Sequence, residues 1–374
     1  MLDNPITMRK HMSFTRFCIV SIFLACAWLW PFCAVAQKIP AASPAVAYFP
    51  ILPYGSTTDT LPQLLPIVAN HSLEDDHSVI KRAIIVIHDR TRDANTVFNL
   101  MTNLAGEANQ NTFIIAPQFL LESDMVRLGG QLPDHGHMFA RWSLKDDGGA
   151  WEDGGDSAAD LSQKGISSFT AMDLLLLFFA DQQTFPNLEQ VIIVGNGAGA
   201  DFVTRYAAMG QGLGFLDRRH IVTHFIAANP SSFLYITASR PRDHLKGFVS
   251  VDPAQCPAYN NYKYGLDNLN PYGRRIGVAA IKQSFVTRHI TYLLGETAAA
   301  NDPMPDTSCA GQLEGSDRLM RAANYNLYLS VAFGPEASAT QKFYTVPEAG
   351  YDPAQIFSSK CALISLFGDG NCSQ

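Results

Sequence analysis

The chain reads as an α/β protein: a doubly wound, mostly parallel sheet with helices on both faces. Three observations predict this. Apolar β-branched runs alternate with amphipathic stretches from about residue 65 onward. The runs are continuous rather than alternating, as strands buried on both faces require. Turn residues separate them, and one junction, Gly195-Asn196-Gly197-Ala198-Gly199, is a strand, a tight glycine-rich turn and a helix in succession.

The elements follow in order. Gln37 to about Tyr54 is rich in Ala and Pro and reads as an extended lead-in. Ala83 to Ile87 is the first strong strand. Asp93 is placed to cap a helix carrying Val97, Leu100, Met101 and Leu104 at i, i+3, i+4, i+7 spacing. Thr112 to Ala116 is a second strand, closed by Pro117. Ser167 or Ser168 caps an apolar helix over Met172 to Ala180. Val191 to Val194 is a third strand, followed by a helix with Phe202, Val203, Tyr206 and Ala207 on one face. Ile221 to Ala227, His289 to Leu294 and Lys342 to Val346 supply three more strands. Residues 129–163 and 233–275 break the alternation. Both leave the carboxyl ends of strands, where long connections form lids or substrate-facing walls. Residues 233–275 are the expected lid-like insertion.

The N-terminus has the parts of a signal peptide. Arg9, Lys10 and Arg16 precede an apolar stretch from Phe17 to Trp30, and Ala34-Val35-Ala36 is a small-x-small cleavage signal. The expected mature chain is therefore a single domain, residues 37–374, exported to a periplasm or beyond. Of 374 residues, 27 are Lys or Arg and 34 are Asp or Glu. Removing residues 1–36 leaves 24 positive against 33 negative side chains, a net charge of −9. That acidic balance, without a basic run, argues against nucleic acid as a partner. After cleavage no apolar stretch is long enough to span a membrane. Four cysteines remain in the mature chain: Cys256, Cys309, Cys361 and Cys372. An even number in an exported chain predicts two disulfides. Cys361 and Cys372 bracket a short tail suited to a local bridge, which pairs Cys256 with Cys309; sequence alone permits three connectivities.

Strand, glycine turn and helix is the setting of the G-x-S-x-G nucleophile elbow. Linked segments carry the likeness further: "AIIVIHDRTRDANTVF", "FIIAPQF", "FPNLEQVIIVGNGAG", "FIAANPSSFLY", "YLLGE" and "VPEAGYD". In order and spacing, residues 65–368 resemble the α/β-hydrolase superfamily, and more closely its secreted bacterial, serine esterase-like members. That resemblance implies a triad in the chain order Ser, acid, His. The implied serine position is Gly197, the acid position Ala298 and the histidine position Tyr351. The oxyanion-loop His-Gly pair reads His88-Asp89. All three triad positions depart from the pattern.

Glycine at the elbow tolerates a backbone with φ > 0 that costs other residues about 1–3 kcal/mol. What remains of an active site is its backbone: the Ala198 N–H, with Asp89 or Arg90, as an oxyanion or ligand pocket also framed by His88 and Asn196. The chain is expected to be an inactive hydrolase homologue binding a small ester or acyl ligand. The alternatives are a hydrolase using non-standard groups, or a structural or interaction protein. An intact apolar pocket beside Ala198 would favour binding, and a pocket filled by Tyr351 the interaction protein. Asp201 reads as a solvated or capping residue, and Ser231 and Ser232 as turn residues. His135 and His137, among Asp134, Asp146, Asp147, Glu152, Asp153 and Asp156, read as a polar surface loop rather than a metal site. No cofactor and no metal are expected.

Overall fold

Six of the apolar runs become parallel strands of one sheet, and two further strands extend it. The strands are β1 (Val46–Ile51), β2 (Gln63–Ala69), β3 (Arg82–Ile87), β4 (Thr112–Pro117), β5 (Gln190–Asn196), β6 (Val222–Ala228), β7 (Ile290–Gly295) and β8 (Gln341–Val346). Their order across the sheet is β1-β2-β4-β3-β5-β6-β7-β8. Only β2 runs against its neighbours; the pairings from β4 through β8 are parallel. The computed structural model describes residues 46–57, 60–128, 139–145, 148–159, 164–242, 247–300, 302–368 and 372. The expected signal segment and the pair His135 and His137 lie outside these residues.

The continuous apolar runs follow from burial on both faces. Ile85 and Ile87 pack into one core cluster, while Ile84 and Val86 pack into the other, because successive strand residues point to opposite sides. On one face lie α1 (Ala94–Ala105), α6 (Pro353–Phe357) and α7 (Lys360–Phe367), contributing Phe98, Met101, Ile356, Phe357 and Leu366. On the other lie α2 (Ser168–Phe179), α3 (Ala198–Met209) and α5 (Arg318–Thr340), with α4 (Cys309–Glu314) leading into α5. Asp93 caps α1 as the pattern predicts, its carboxylate accepting the Thr96 N–H. Ser167 caps α2 and accepts the Phe169 N–H.

β1 and β2 were not legible as strands. β1 lies within the expected lead-in. β2 contains Pro66, which has no N–H to donate. The Pro66 carbonyl still accepts the Gln118 N–H at 2.8 Å, so the position next to the sheet edge tolerates it.

The two irregular stretches are more deeply embedded than a surface reading implies. In the first, Trp151, Glu152 and Asp153 form a short turn with at most 1 % exposure. In the second, Phe233 to Ile236 are buried in the core formed with Tyr325 and Tyr328 of α5. The expectation of a polar surface loop is therefore corrected at Glu152 and Asp153, which are core residues. Both expected cysteine pairs are at bonding distance: Cys256 with Cys309, Cα atoms 6.0 Å apart, and Cys361 with Cys372, 5.1 Å apart.

Candidate functional site

β5 ends at Asn196, and the chain turns into α3 through Gly197 at φ 58°, ψ −119°. This is a strained nucleophile-type turn that glycine adopts without a Cβ clash. Gly199 serves the same junction differently. A Cβ there would run into the Ile87 carbonyl, so glycine lets α3 approach β3 closely.

A Cβ on Gly197 would meet the Tyr351 hydroxyl, with the ring Cζ and Asp89 Oδ1 each 2.8 Å away. The volume in which a nucleophile would stand is thus occupied by another side chain. Tyr351 reaches it from the loop after β8. Its hydroxyl donates to Asp89 Oδ2 at 2.7 Å. Burial, then the neighbouring Asp89, push the Tyr351 phenol well above its usual range. Near neutrality it is a proton donor, not a nucleophile or base.

Asp89 occupies the second key position. Its Oδ1 accepts the Ala198 N–H at 3.0 Å and the Arg90 N–H at 2.7 Å. The Ala198 N–H is the first backbone donor expected of an oxyanion pocket, and the Arg90 N–H is one of the two partners, Asp89 or Arg90, left open for it. They are not open to a carbonyl, because the chain's own carboxylate takes both. An aspartate in place of the usual glycine puts a carboxyl group where a transient oxyanion would form. That corrects the expectation of an empty donor pair.

The turn that carries Asp89 is held on three sides. His88 is fully buried; its Nε2 accepts the Phe119 N–H at 2.9 Å, so its Nδ1 donates to the Asp89 carbonyl at 2.8 Å. Burial pulls its pKa down to about 4, which keeps the imidazole neutral and in that tautomer. Arg90 pairs with Glu152 at 2.7 Å, and Arg92 with Asp124 at 2.6 Å. Asn196 fastens the other side: its Nδ2 donates to the Tyr351 carbonyl at 3.1 Å.

Ala298 lies in the turn after β7, fully buried. Its neighbour Thr297 donates through N and Oγ1 to the Ala349 carbonyl at 2.9 and 3.0 Å. Gly197, Ala298 and Tyr351 thus follow the carboxyl ends of β5, β7 and β8, on one end of the sheet. With a methyl at the acid position, another pair supports Tyr351. Asp302 binds Arg318 at 2.6 and 2.9 Å, and the Arg318 guanidinium lies 4.9 Å from the centre of the Tyr351 ring.

Asp201 is neither solvated nor a cap. It is 5 % exposed, accepts the Ser231 N–H at 2.9 Å, and takes a short hydrogen bond from the Ser231 hydroxyl. Arg205, one turn along α3 and fully buried, lies 3.3 Å from both Asp201 and Asp153 and donates to the Ser232 hydroxyl at 2.8 Å. Ser231 and Ser232 are therefore ligands of this network rather than free turn residues.

Above the elbow a cavity of about 540 Å³ remains, within the range of small-molecule sites. Its walls include Asp89, Ala198 and Tyr351 on the sheet side, and Lys263, Tyr264, Asp306 and Ser308 opposite. The Cys256–Cys309 bridge joins the two segments that make the far wall. Lys263, Asp302, Asp306 and Arg318 were not singled out from sequence. They come from three separate stretches, and no motif spacing links them. Asp89 did carry a signal: an acid at the glycine position together with tyrosine at the histidine position is a complementary donor–acceptor change.

At the level of sequence, no family model and no curated protein matches the chain. Among solved structures, it is similar to poly(aspartic acid) hydrolase-1 from Sphingomonas sp. KT-1, with TM-score 0.51, 17% identity, and coverage of 84% of this chain and 96% of that one. It is also similar to LpqC, a poly(3-hydroxybutyrate) depolymerase from Bordetella parapertussis, with TM-score 0.52, 17% identity, and coverage of 88% and 93%. The strand order, the elbow and these neighbours agree: the chain has the α/β-hydrolase fold.

Proposed function

We propose that this is an exported, non-hydrolytic protein of the α/β-hydrolase fold that holds a small molecule in the cavity above the elbow. One observation carries the reading: Asp89 occupies the Ala198 and Arg90 N–H groups beside the elbow while accepting from Tyr351 in the nucleophile space. Acyl transfer needs a nucleophile, a base to activate it and donors for the developing oxyanion. Gly197 supplies no side chain, Tyr351 holds its proton, and the donors are spent. A negative charge developing beside Asp89 would be repelled rather than stabilised.

The cavity supports binding over a purely structural role. Tyr351 fills only the nucleophile space and leaves about 540 Å³ open beside it. Two disulfides support export. Among the described residues no helix is long and apolar enough to cross a membrane.

The test is turnover of a panel of short-chain acyl esters by purified protein, with labelling by a serine-directed fluorophosphonate alongside. No hydrolysis above background and no labelling are expected. Tyr351→Phe serves as the control for a contaminating esterase. Wild-type hydrolysis that disappears in Tyr351→Phe would overturn the reading and make Tyr351 a catalytic residue.

A further inference from the structure

The cavity lining carries three acids and three cations: Asp89, Asp201 and Asp306 against Arg90, Lys263 and Arg318. Among these side chains the formal charges cancel. The cations also have partners behind the lining. Arg90 reaches Glu152, and Arg318 gives its nitrogens to Asp302 and to the Asn229 and Met304 carbonyls. Burial pulls the Lys263 pKa down, but the Asp153 carboxylate outweighs this and holds the ammonium charged. An ion of either sign would leave water for a lining with no net charge to meet it.

The three acids are satisfied in one repeated way: each takes the hydrogen of a hydroxyl that lines the same cavity. Tyr351 donates to Asp89 and Tyr264 to Asp306, each at 2.7 Å, and Ser231 donates to Asp201. The Ser308 hydroxyl stands 2.8 Å from the Tyr264 oxygen; because the Tyr264 hydrogen goes to Asp306, Ser308 is the donor of that pair. Burial pushes the Asp306 carboxyl up, yet the Ser308 and Tyr264 hydrogen bonds and the Lys263 charge outweigh it and hold the carboxyl below its usual range. Burial pushes both phenols above theirs, so each keeps its hydrogen for its carboxylate. A hydroxyl whose only hydrogen is spent still has a lone pair to offer. Asp306 makes two of the roughly four hydrogen bonds that a carboxylate can accept. The lining is thus rich in oxygen acceptors while carrying no net charge.

We propose that the cavity takes a neutral sugar of monosaccharide size, which donates its hydroxyl hydrogens to these oxygens. A sugar brings several O–H donors on one ring and no charge that the lining must compensate. The cavity of about 540 Å³ has room for such a ring, and Pro257, Met304 and Pro305 offer apolar surface to its C–H faces. Tyr264 and Ser231 are two of the acceptors. This rests on the non-hydrolytic binding reading and names its ligand class.

The test is a heteronuclear NMR titration of disulfide-intact protein with glucose and galactose, and with their 6-amino-6-deoxy and uronate counterparts. Each set shares a ring and differs in charge at one carbon; tetrahydropyran-2-methanol, without the ring hydroxyls, is the control. Saturable shifts at the Ala198, Ser231 and Tyr264 amides are expected with at least one neutral sugar, with weaker binding of its cationic and anionic counterparts and none of the control. Tyr264→Phe and Ser231→Ala each remove one acceptor oxygen. Each should weaken the sugar by about 3-fold or more, the net worth of one neutral hydrogen bond, with an unchanged near-UV dichroism spectrum. If Tyr264→Phe alters that spectrum, Ser231→Ala alone decides. No binding of either neutral sugar, equal or tighter binding of a charged counterpart or the control, or undiminished binding by a well-folded variant would overturn the proposal. A 6-O-acetyl sugar, followed for release of acetate, separates the two readings: turnover removes the non-hydrolytic reading, whereas the titration decides the ligand class.

Discussion

At residue scale, Gly197 shows how one position can be explained in two ways by its surroundings. From sequence, glycine there relieves a strained turn, and φ 58° bears out the geometry. The structure adds that no side chain fits, because the Tyr351 hydroxyl and Asp89 already stand where a Cβ would go. Gly197→Ser is therefore expected to lower stability by more than the ~1–3 kcal/mol of backbone strain alone. Adding Tyr351→Ala should recover part of the loss by emptying the space. Thermal melts of the three proteins check this; a single variant as stable as wild type would mean that Tyr351 does not hold that volume. Neither variant should hydrolyse esters, since a lone serine has no base and triad members act as a unit.

At the scale of elements, α3 is fixed from below by apolar packing and from its side by charge. Arg205 spans from α3 to Asp153 in the turn before α2 and to the Ser231–Ser232 turn after β6. Arg205, Asp153, Asp201 and Ser232 are all buried, so water does not compensate for a lost partner. Arg205→Met should cost about 3–5 kcal/mol, the penalty of leaving buried carboxylates without their cation. The checking measurement is urea unfolding, read as a lower midpoint at unchanged slope. A loss below ~1 kcal/mol would show the network to be dispensable. Its components were visible in the sequence only as scattered polar residues. Asp201 looked like a solvated helix residue, and Glu152 and Asp153 like part of a surface loop. Burial of a charged side chain depends on partners about 30–50 residues away, which periodicity cannot report.

At the scale of the whole molecule, the two bridges are compatible with an exported protein, and the leader expected from the sequence makes export a proposal to test. Mass spectrometry of protein made with its natural leader should give a mature chain starting at Gln37 and no free thiols. A retained segment 1–36, or four reactive thiols, would overturn that proposal. Losing the Cys256–Cys309 bridge would be felt at the cavity first, because it ties 251–264 to α4, the two segments of the far wall.

By itself the sequence determined the fold class, six of the eight strands of the main sheet, the cap at Asp93 and the elbow, and it showed Gly, Ala and Tyr at the three positions that the resemblance assigns to a triad. These are local properties: period, β-branching, turn chemistry and the presence or absence of a functional group at a motif position. The sequence did not disclose β1 and β2. Each is interrupted by a proline, Pro50 in β1 and Pro66 in β2, and each is a strand because it pairs with a neighbour in the sheet. Nor did it disclose that Asp89 closes the oxyanion site, that Arg318 covers Tyr351, or that Asp201 and Asp153 share Arg205. Only the tertiary structure decided these, because each is a meeting of groups far apart in the chain, and a side chain's charge acts through whatever stands a few ångströms from it.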